Sequence, residues 1–294
     1  MIQGYPDPEQ ALSEHFASPC RVLERSSVGG GCINNAQLLV LDCGARVFLK
    51  ENTGAAAGLF RGEALGLEAL HQAPSGPRVP EPIALYEDTS RQWLAMEFIE
   101  SGTPASGFWE QFGTAMAELH RDTACNRYGF DEDNHIGSTP QVNDWESSWA
   151  RFFGEHRLRY QFELARRNGL ADNSLLRAGE RLIARLPDLL PEPEHASLLH
   201  GDFWGGNFMI DLEGSPVIID PAVYYGDREA DLAMARLFGG FDGRFYEAYH
   251  DAYPIAPGHA ERVDLYNLYH VLNHLNLFGR GYLGQAQAIV ARYI

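Results

Sequence analysis

The chain has 294 residues, 45% hydrophobic and 12% aromatic, without a low-complexity tract or internal repeat, so it reads as a folded protein large enough for one big domain or two lobes. Its formal net charge of −17 opposes a nucleic-acid backbone or an anionic membrane surface, because every long-range term would be repulsive. No apolar run reaches membrane-span length and the opening "MIQGYPDPEQ" lacks a basic and an apolar leader region, so a cytoplasmic protein with no nucleic-acid or membrane partner is expected.

In chain order, positions 22–99 carry short β-like runs, "AQLLVLD", "ARVFLK" and "QWLAMEFIE", divided by Gly, Asn and Asp and interrupted by a helical pattern over 59–71. After the breaker "ESGTP" the segments lengthen, and helices are predicted over 108–120, 145–167, 174–186, 231–238 and 262–278. Between them, "NFMID" and "PVIID" flank "LEGS" and read as a hairpin. The expected fold is therefore α+β and bilobal, with a small β-rich lobe over 1–100 and a larger helical lobe over 101–294. The four cysteines, Cys20, Cys32, Cys43 and Cys125, form no CxxC pair and have no His at zinc-finger spacing; they read as reduced thiols rather than a metal site or a disulfide framework.

The segment with the densest chemistry is "HGDFWGGN", His200 to Asn207, just before the predicted hairpin. Asp202 and Asn207 are five positions apart, and Asp220 ends the hairpin's second strand. A phosphotransferase loop of the protein-kinase kind needs an acid facing the acceptor hydroxyl, then an amide and a second acid sharing Mg²⁺ on the phosphate side. That spacing supplies all three, with Gly205 and Gly206 expected to let the backbone turn tightly between them.

Such a site also needs a strand lysine held by a helical glutamate. Lys50 ends "ARVFLK", and two glutamates follow on the predicted helix. Phe60, Glu63, Leu67 and Leu70 share one stripe, whereas Glu68 lies about 140° further round, so Glu63 is the expected partner. One strand upstream, the consecutive Gly29, Gly30 and Gly31 would let backbone N–H groups approach triphosphate oxygens; alone they match neither Walker A nor GxGxxG and could be a simple hairpin turn.

With these parts in order, the chain resembles the fructosamine kinase (ketosamine-3-kinase) family, relatives of the aminoglycoside and choline phosphotransferases within the protein-kinase-like fold. The resemblance runs nearly end to end and is most specific in "HGDFWGGN" and "DPAVYYGDREADLAM". It implies Asp202 as base, Asn207 and Asp220 as Mg²⁺ ligands, and Lys50 paired with Glu63 on the α- and β-phosphates of ATP. In "AMEFIE" it places Met96 at the gatekeeper position, with the Glu97 and Ile99 backbones bonding adenine and Phe98 between them. Trp204 resembles the family's sugar-facing aromatic, although a core indole beneath the loop would also suit that position. The implied reaction is phosphorylation of the 3-hydroxyl of a ketosamine, leading to deglycation.

His270 and His274 stand at i, i+4 on a predicted helix, but "VLN" between them lacks the glutamate of HExxH, which argues against a metal pair. Glu229 and Asp231 open a helix and suit capping; by resemblance Asp231 braces the catalytic loop. Cys32, beside the glycines, is either an accessible redox-sensing thiol able to link two molecules or a small packing residue; otherwise a monomer is expected. Two alternatives stay open: a kinase for another small molecule such as an aminoglycoside or choline, and a nucleotide-binding pseudokinase regulator.

Overall fold

The computed structural model describes residues 1–29, 35–54 and 58–294. The N-terminal part contains β1 (Ile2–Gln3), α1 (Pro8–His15), β2 (Val22–Ser27), β3 (Asn35–Leu41), β4 (Arg46–Thr53), α2 (Leu59–His71), β5 (Pro82–Glu87) and β6 (Arg91–Glu97). Its strands form one six-stranded sheet in the order β1-β5-β6-β4-β3-β2. The neighbours are antiparallel except the short parallel pair β1–β5.

Period-2 alternation sorts the sheet's side chains onto two faces. On one face Val47, Leu49, Trp93 and Ala95 pack with Leu12 of α1; on the other Leu94 and Met96 pack with Phe60, Ala64, Leu67 and Leu70 of α2. Helix α2 spans the range read from the sequence, and its apolar stripe is the buried one. Helix α1 was not anticipated: it is only eight residues long, started by Asp7, whose side chain accepts the Glu9 N–H, and by Pro8 at its first position.

The second part runs through α3 (Phe108–Asp122), β7 (Asn134–Ile136), β8 (Thr139–Gln141), α4 (Trp149–Phe152), a π-helical segment (Phe153–Arg159), α5 (Tyr160–Arg167), α6 (Asn173–Leu189), β9 (Ser197–Leu199), β10 (Phe208–Ile210), β11 (Pro216–Ile218), β12 (Tyr224–Gly226), α7 (Glu229–Leu237), α8 (Gly243–Ala252), α9 (His259–Phe278), a 3₁₀ turn (Arg280–Tyr282) and α10 (Leu283–Tyr293). The anticipated hairpin is β10–β11, with Phe208 opposite Ile218. The single helix expected over 145–167 is instead α4, the π segment and α5 in continuous run; it starts at Ser148, whose hydroxyl caps it, and the widened turn carries the fully buried Arg157 inward. Helices α8 and α10 escaped sequence reading because each buries only two or three residues.

An apolar cluster joins the two parts: Leu94, Met96 and α2 from above meet Phe108, Phe112, Leu198, Phe203 and Ile218 from below. The strand that carries Lys50, through its partly buried Phe48, and the loop containing Asp202, through Phe203, are thereby mounted on one continuous core.

Candidate active site

Strand β4 and helix α2 place the lysine and glutamate as their patterns required. Lys50 Nζ donates to Glu63 Oε1 at 2.6 Å and to Asp220 Oδ1 at 2.5 Å, and the lysine is almost wholly buried. Burial alone would pull the ammonium's pKa down, but the charges of Glu63 and Asp220 overcome it and hold the group above its ordinary value. Glu68 faces away, 3.9 Å from the N-terminal amine of Met1. Asp220 follows β11 with φ of 56°, a left-handed conformation uncommon outside glycine, and this turns its carboxylate back toward Lys50.

The loop "HGDFWGGN", His200 to Asn207, lies between β9 and β10. His200 is fully buried and neutral: burial lowers its pKa, Nε2–H donates to the Ile219 carbonyl at 2.9 Å, and Nδ1 accepts the Asp202 N–H at 3.3 Å. Gly201 has φ of 80°, and a Cβ there would stand 1.9 Å from the Ala222 carbonyl oxygen, so only glycine fits. Phe203 is buried among Phe112, Phe241 and Phe245 and anchors the loop to α3 and α8. Gly205 and Gly206 do not serve as positive-φ turn residues. They form the expected turn, closed by the Asn207 N–H on the Trp204 carbonyl at 2.9 Å, and close approach restricts them further: a Cβ at Gly205 would press on the Gly239 carbonyl at 3.1 Å, and one at Gly206 would overlap the Trp204 indole at 2.3 Å.

Asp231, at the start of α7, braces this loop from beneath. It accepts the His200 N–H at 2.7 Å and the Gly201 N–H at 2.9 Å. His120 adds Nε2–H at 3.3 Å while its Nδ1 accepts from the Tyr249 hydroxyl at 2.8 Å. Burial would push the Asp231 carboxyl up, but these donors outweigh it and hold it below the ordinary carboxylate value.

The Asn207 amide nitrogen donates at 2.9 Å to both the carbonyl and Oδ2 of Asp202, and the Asn207 carbonyl accepts the Ile219 N–H at 3.0 Å. The loop end and the strand leading to Asp220 are thus joined. Burial raises the Asp202 carboxyl to about 7, with Asn207 opposing the shift and the charges of Asp220 and Asp231 adding to it. A carboxyl titrating near neutrality suits a general base.

The segment around the end of β6, read from the sequence as the adenine edge, is held by the sheet and the β10–β11 hairpin. Met96 is buried in the cluster joining the two parts, and Arg46 lies over the Phe98 ring at 5.2 Å. The Glu97 N–H is bonded to the Glu81 carbonyl at 2.9 Å, whereas the Ile99 N–H has no acceptor among the described residues. Arg78 pairs with Glu97 and, at 3.0 Å, with Asp211, and the Gly102 N–H bonds the Ile210 carbonyl at 2.8 Å, so this edge is docked on the β10–β11 hairpin. A Cβ at Gly29 would meet nothing; Gly30, Gly31 and Cys32 lie outside the described residues.

Trp204 is 36% exposed, which removes the core-indole reading. Its ring meets Phe238 edge-on at 5.8 Å, Phe238 meets His274 at 5.0 Å, and His274 meets Tyr282 at 5.1 Å. An aromatic wall leads away from the Asp202 loop. His274 Nδ1 donates to the His270 carbonyl at 2.8 Å, and burial pushes the His270 imidazole down to about 3, keeping it neutral.

Sequence reasoning missed the support behind the loop. Gln141 donates to the Ala222 carbonyl at 3.0 Å and accepts from the Tyr269 hydroxyl at 2.6 Å. Arg157 donates to the Val142 carbonyl and to Asn143 Oδ1, each at 2.7 Å, with its guanidinium 4.0 Å from the Tyr224 ring centre. The signal was present in "TPQVND", where the polar Thr139, Gln141 and Asn143 are buried in alternation with exposed or half-buried neighbours, but hydropathy alone cannot separate that from a loop.

Residues 5–294 match the fructosamine kinase family model. The chain belongs to the fructosamine kinase family. It is 45% identical over 281 residues to a probable ketoamine kinase of Synechocystis, covering 96% of this chain and 94% of that protein. It is 42% identical to the chloroplastic protein-ribulosamine 3-kinase of Arabidopsis thaliana, covering 98% and 87%. The crystal structure of a "putative fructosamine-3-kinase" from Thermobifida fusca superposes with a TM-score of 0.85 at 31% identity, over 98% of both chains. The fold of this family member is the bilobal, protein-kinase-like one.

Proposed function

We propose that the chain transfers the γ-phosphoryl group of ATP to the 3-hydroxyl of a ketosamine. The observation that carries the reading is Asp202: a carboxyl raised to about 7, held by Asn207, on a loop joined to the strand end where Asp220 meets Lys50. Family membership and the ketoamine and ribulosamine kinases it resembles support the same acceptor class.

In this reading Asp202 accepts the proton of the acceptor hydroxyl as its oxygen bonds to the γ-phosphorus, and the bond to the bridging oxygen breaks to release ADP. Lys50, fixed by Glu63, neutralises the α- and β-phosphates. Asn207 and Asp220 present amide and carboxylate oxygens, a donor set suited to Mg²⁺, which when bound would neutralise charge on the phosphates. The glycines 29–31 would cover the phosphates, and Met96, Phe98 and the Glu97 and Ile99 backbones would line the adenine. Trp204, with the aromatic wall behind it, offers an apolar face for the sugar.

The product carries a phosphate next to the C2 ketone. Loss of a C1 proton gives an enaminol from which phosphate departs at C3, and water then releases the amine; the biological role proposed is deglycation. We place the lobe boundary near residue 100 and the protein in the cytoplasm as a monomer; among the described residues no helix is long and apolar enough to cross a membrane. Cys32 as a redox switch linking two molecules is retained as a proposal from its sequence position alone.

The test is ATP consumption on a matched panel of fructosamine, ribulosamine and erythrulosamine adducts beside an aminoglycoside and choline. Turnover confined to the ketosamines, with phosphate on O3, is expected. Turnover confined to the others would overturn the reading.

A further inference from the structure

Cys20 and Cys43 are 23 positions apart and fit no metal-binding sequence pattern, yet the fold brings them together. Cys20 lies in the link between α1 and β2, and Asp42 and Cys43 lie in the turn between β3 and β4. The two sulfurs and an Asp42 carboxylate oxygen all stand within 4.8 Å of one another. We propose that Cys20, Asp42 and Cys43 form a binding site for a soft divalent cation of the zinc kind, remote in sequence from the phosphotransfer residues and separate in purpose.

The geometry is close to what such an ion requires. A tetrahedral zinc with sulfur at about 2.3 Å sets its sulfurs about 3.8 Å apart, so donors already within 4.8 Å need only a small inward shift. The donors are carried on ordered backbone. The Arg21 N–H donates to Asp42 Oδ1 at 3.0 Å, the Asp42 N–H donates to the Arg21 carbonyl at 2.9 Å, and Ser13 Oγ accepts the Cys20 N–H at 2.8 Å. Cys20 is buried and Cys43 exposed, so one ligand is fixed from within while the other leaves a path for the ion and for a water as fourth ligand.

Electrostatics favour a cation over a disulfide. A carboxylate oxygen beside the two sulfurs supplies a third ligand for a cation and has no part in an S–S bond. On binding, each thiol loses its proton to solvent, and the bond from Cys20 Sγ to the Ser18 carbonyl, 3.2 Å, is given up. The ion would tie the start of the sheet's edge strand β2 to the β3–β4 turn, at the end of the β2–β3 pair opposite the glycine run.

The test uses the full chain with Cys32→Ala and Cys125→Ala, under a phosphine reductant, titrated with Cd²⁺ and followed by its ultraviolet thiolate charge-transfer band, with Zn²⁺ as competitor. One equivalent should bind and Zn²⁺ should displace it. Cys43→Ser, at an exposed position where folding is not at risk, should weaken binding at least about 100-fold, and Asp42→Asn about tenfold. Zn²⁺ should also raise the thermal midpoint of the parent and not of Cys43→Ser. No charge-transfer band in the parent, or a band that survives Cys43→Ser, would overturn the proposal.

Discussion

The side-chain nitrogen of Asn207 donates to both the main-chain carbonyl and Oδ2 of Asp202, each at 2.9 Å. This one amide fixes the orientation of the acid and favours its ionised form, while burial pushes the other way and leaves the carboxyl at about 7. A base tuned in this manner carries a cost in the resting protein.

The cost is measurable as stability. The folded-state pKa of Asp202 lies above its unfolded value, so its contribution is fully present below about pH 4 and is lost as pH rises through about 7. Above that, ionisation favours the unfolded chain. Asp202→Asn removes the titration and should raise the urea midpoint at pH 8 relative to the parent, with a smaller difference at pH 5. Equal midpoint shifts at both pH values would show that the carboxyl is not perturbed.

Glu63→Gln keeps the shape of the Lys50 partner but removes its charge. Because Asp220 still meets Lys50, the protein should fold, while the KM for ATP should rise about tenfold or more, since a lysine drawn toward Asp220 alone is less available to phosphates. Lys50→Ala instead leaves Glu63 in a buried site without its cation and should cost about 3 kcal/mol or more in urea unfolding. A neutral result from both substitutions would remove the pair from nucleotide binding.

Gly201→Ala tests why the loop begins as it does. With φ of 80° and the Ala222 carbonyl 1.9 Å from the added Cβ, the loop must shift and the Asp231 brace must open. Expected are a large fall in turnover and a stability loss of about 2 kcal/mol or more, read by activity and denaturation together. Full activity in the variant would contradict the geometry.

Trp204→Ala addresses the acceptor. The exposed indole packs on Gly206 and meets Phe238, so its removal should leave folding and the KM for ATP within about twofold and raise the KM for the ketosamine about tenfold. A rise in the ATP KM of the same size would place the indole on the nucleotide side instead.

Much of this was legible in the sequence where one physical signal dominated. Helix α2 matched its predicted range because its stripe is strict, and that same stripe separated Glu63 from Glu68. The β10–β11 hairpin followed from its turn residues. What escaped depended on tertiary packing. Gly205 and Gly206 form the turn their sequence suggested, but the close approach that excludes a side chain there is revealed only by the positions of Gly239 and Trp204. The π segment cannot be distinguished from an α-helix by periodicity over seven residues, so the inward Arg157 was invisible. Cys20 and Cys43 meet only because β3 and β4 turn at Asp42.

The central claim is that Asp202 takes the proton during phosphoryl transfer, and the most direct measurement is the pH dependence of kcat/KM for a ketosamine in the parent and in Asp202→Asn, with ATP affinity measured in parallel. The parent should gain activity with pH through about 7, and Asp202→Asn should lose roughly 10²-fold or more, bind ATP normally and lose that ascending limb. An unchanged limb in Asp202→Asn, or turnover within a few-fold of the parent, would assign the proton to another group.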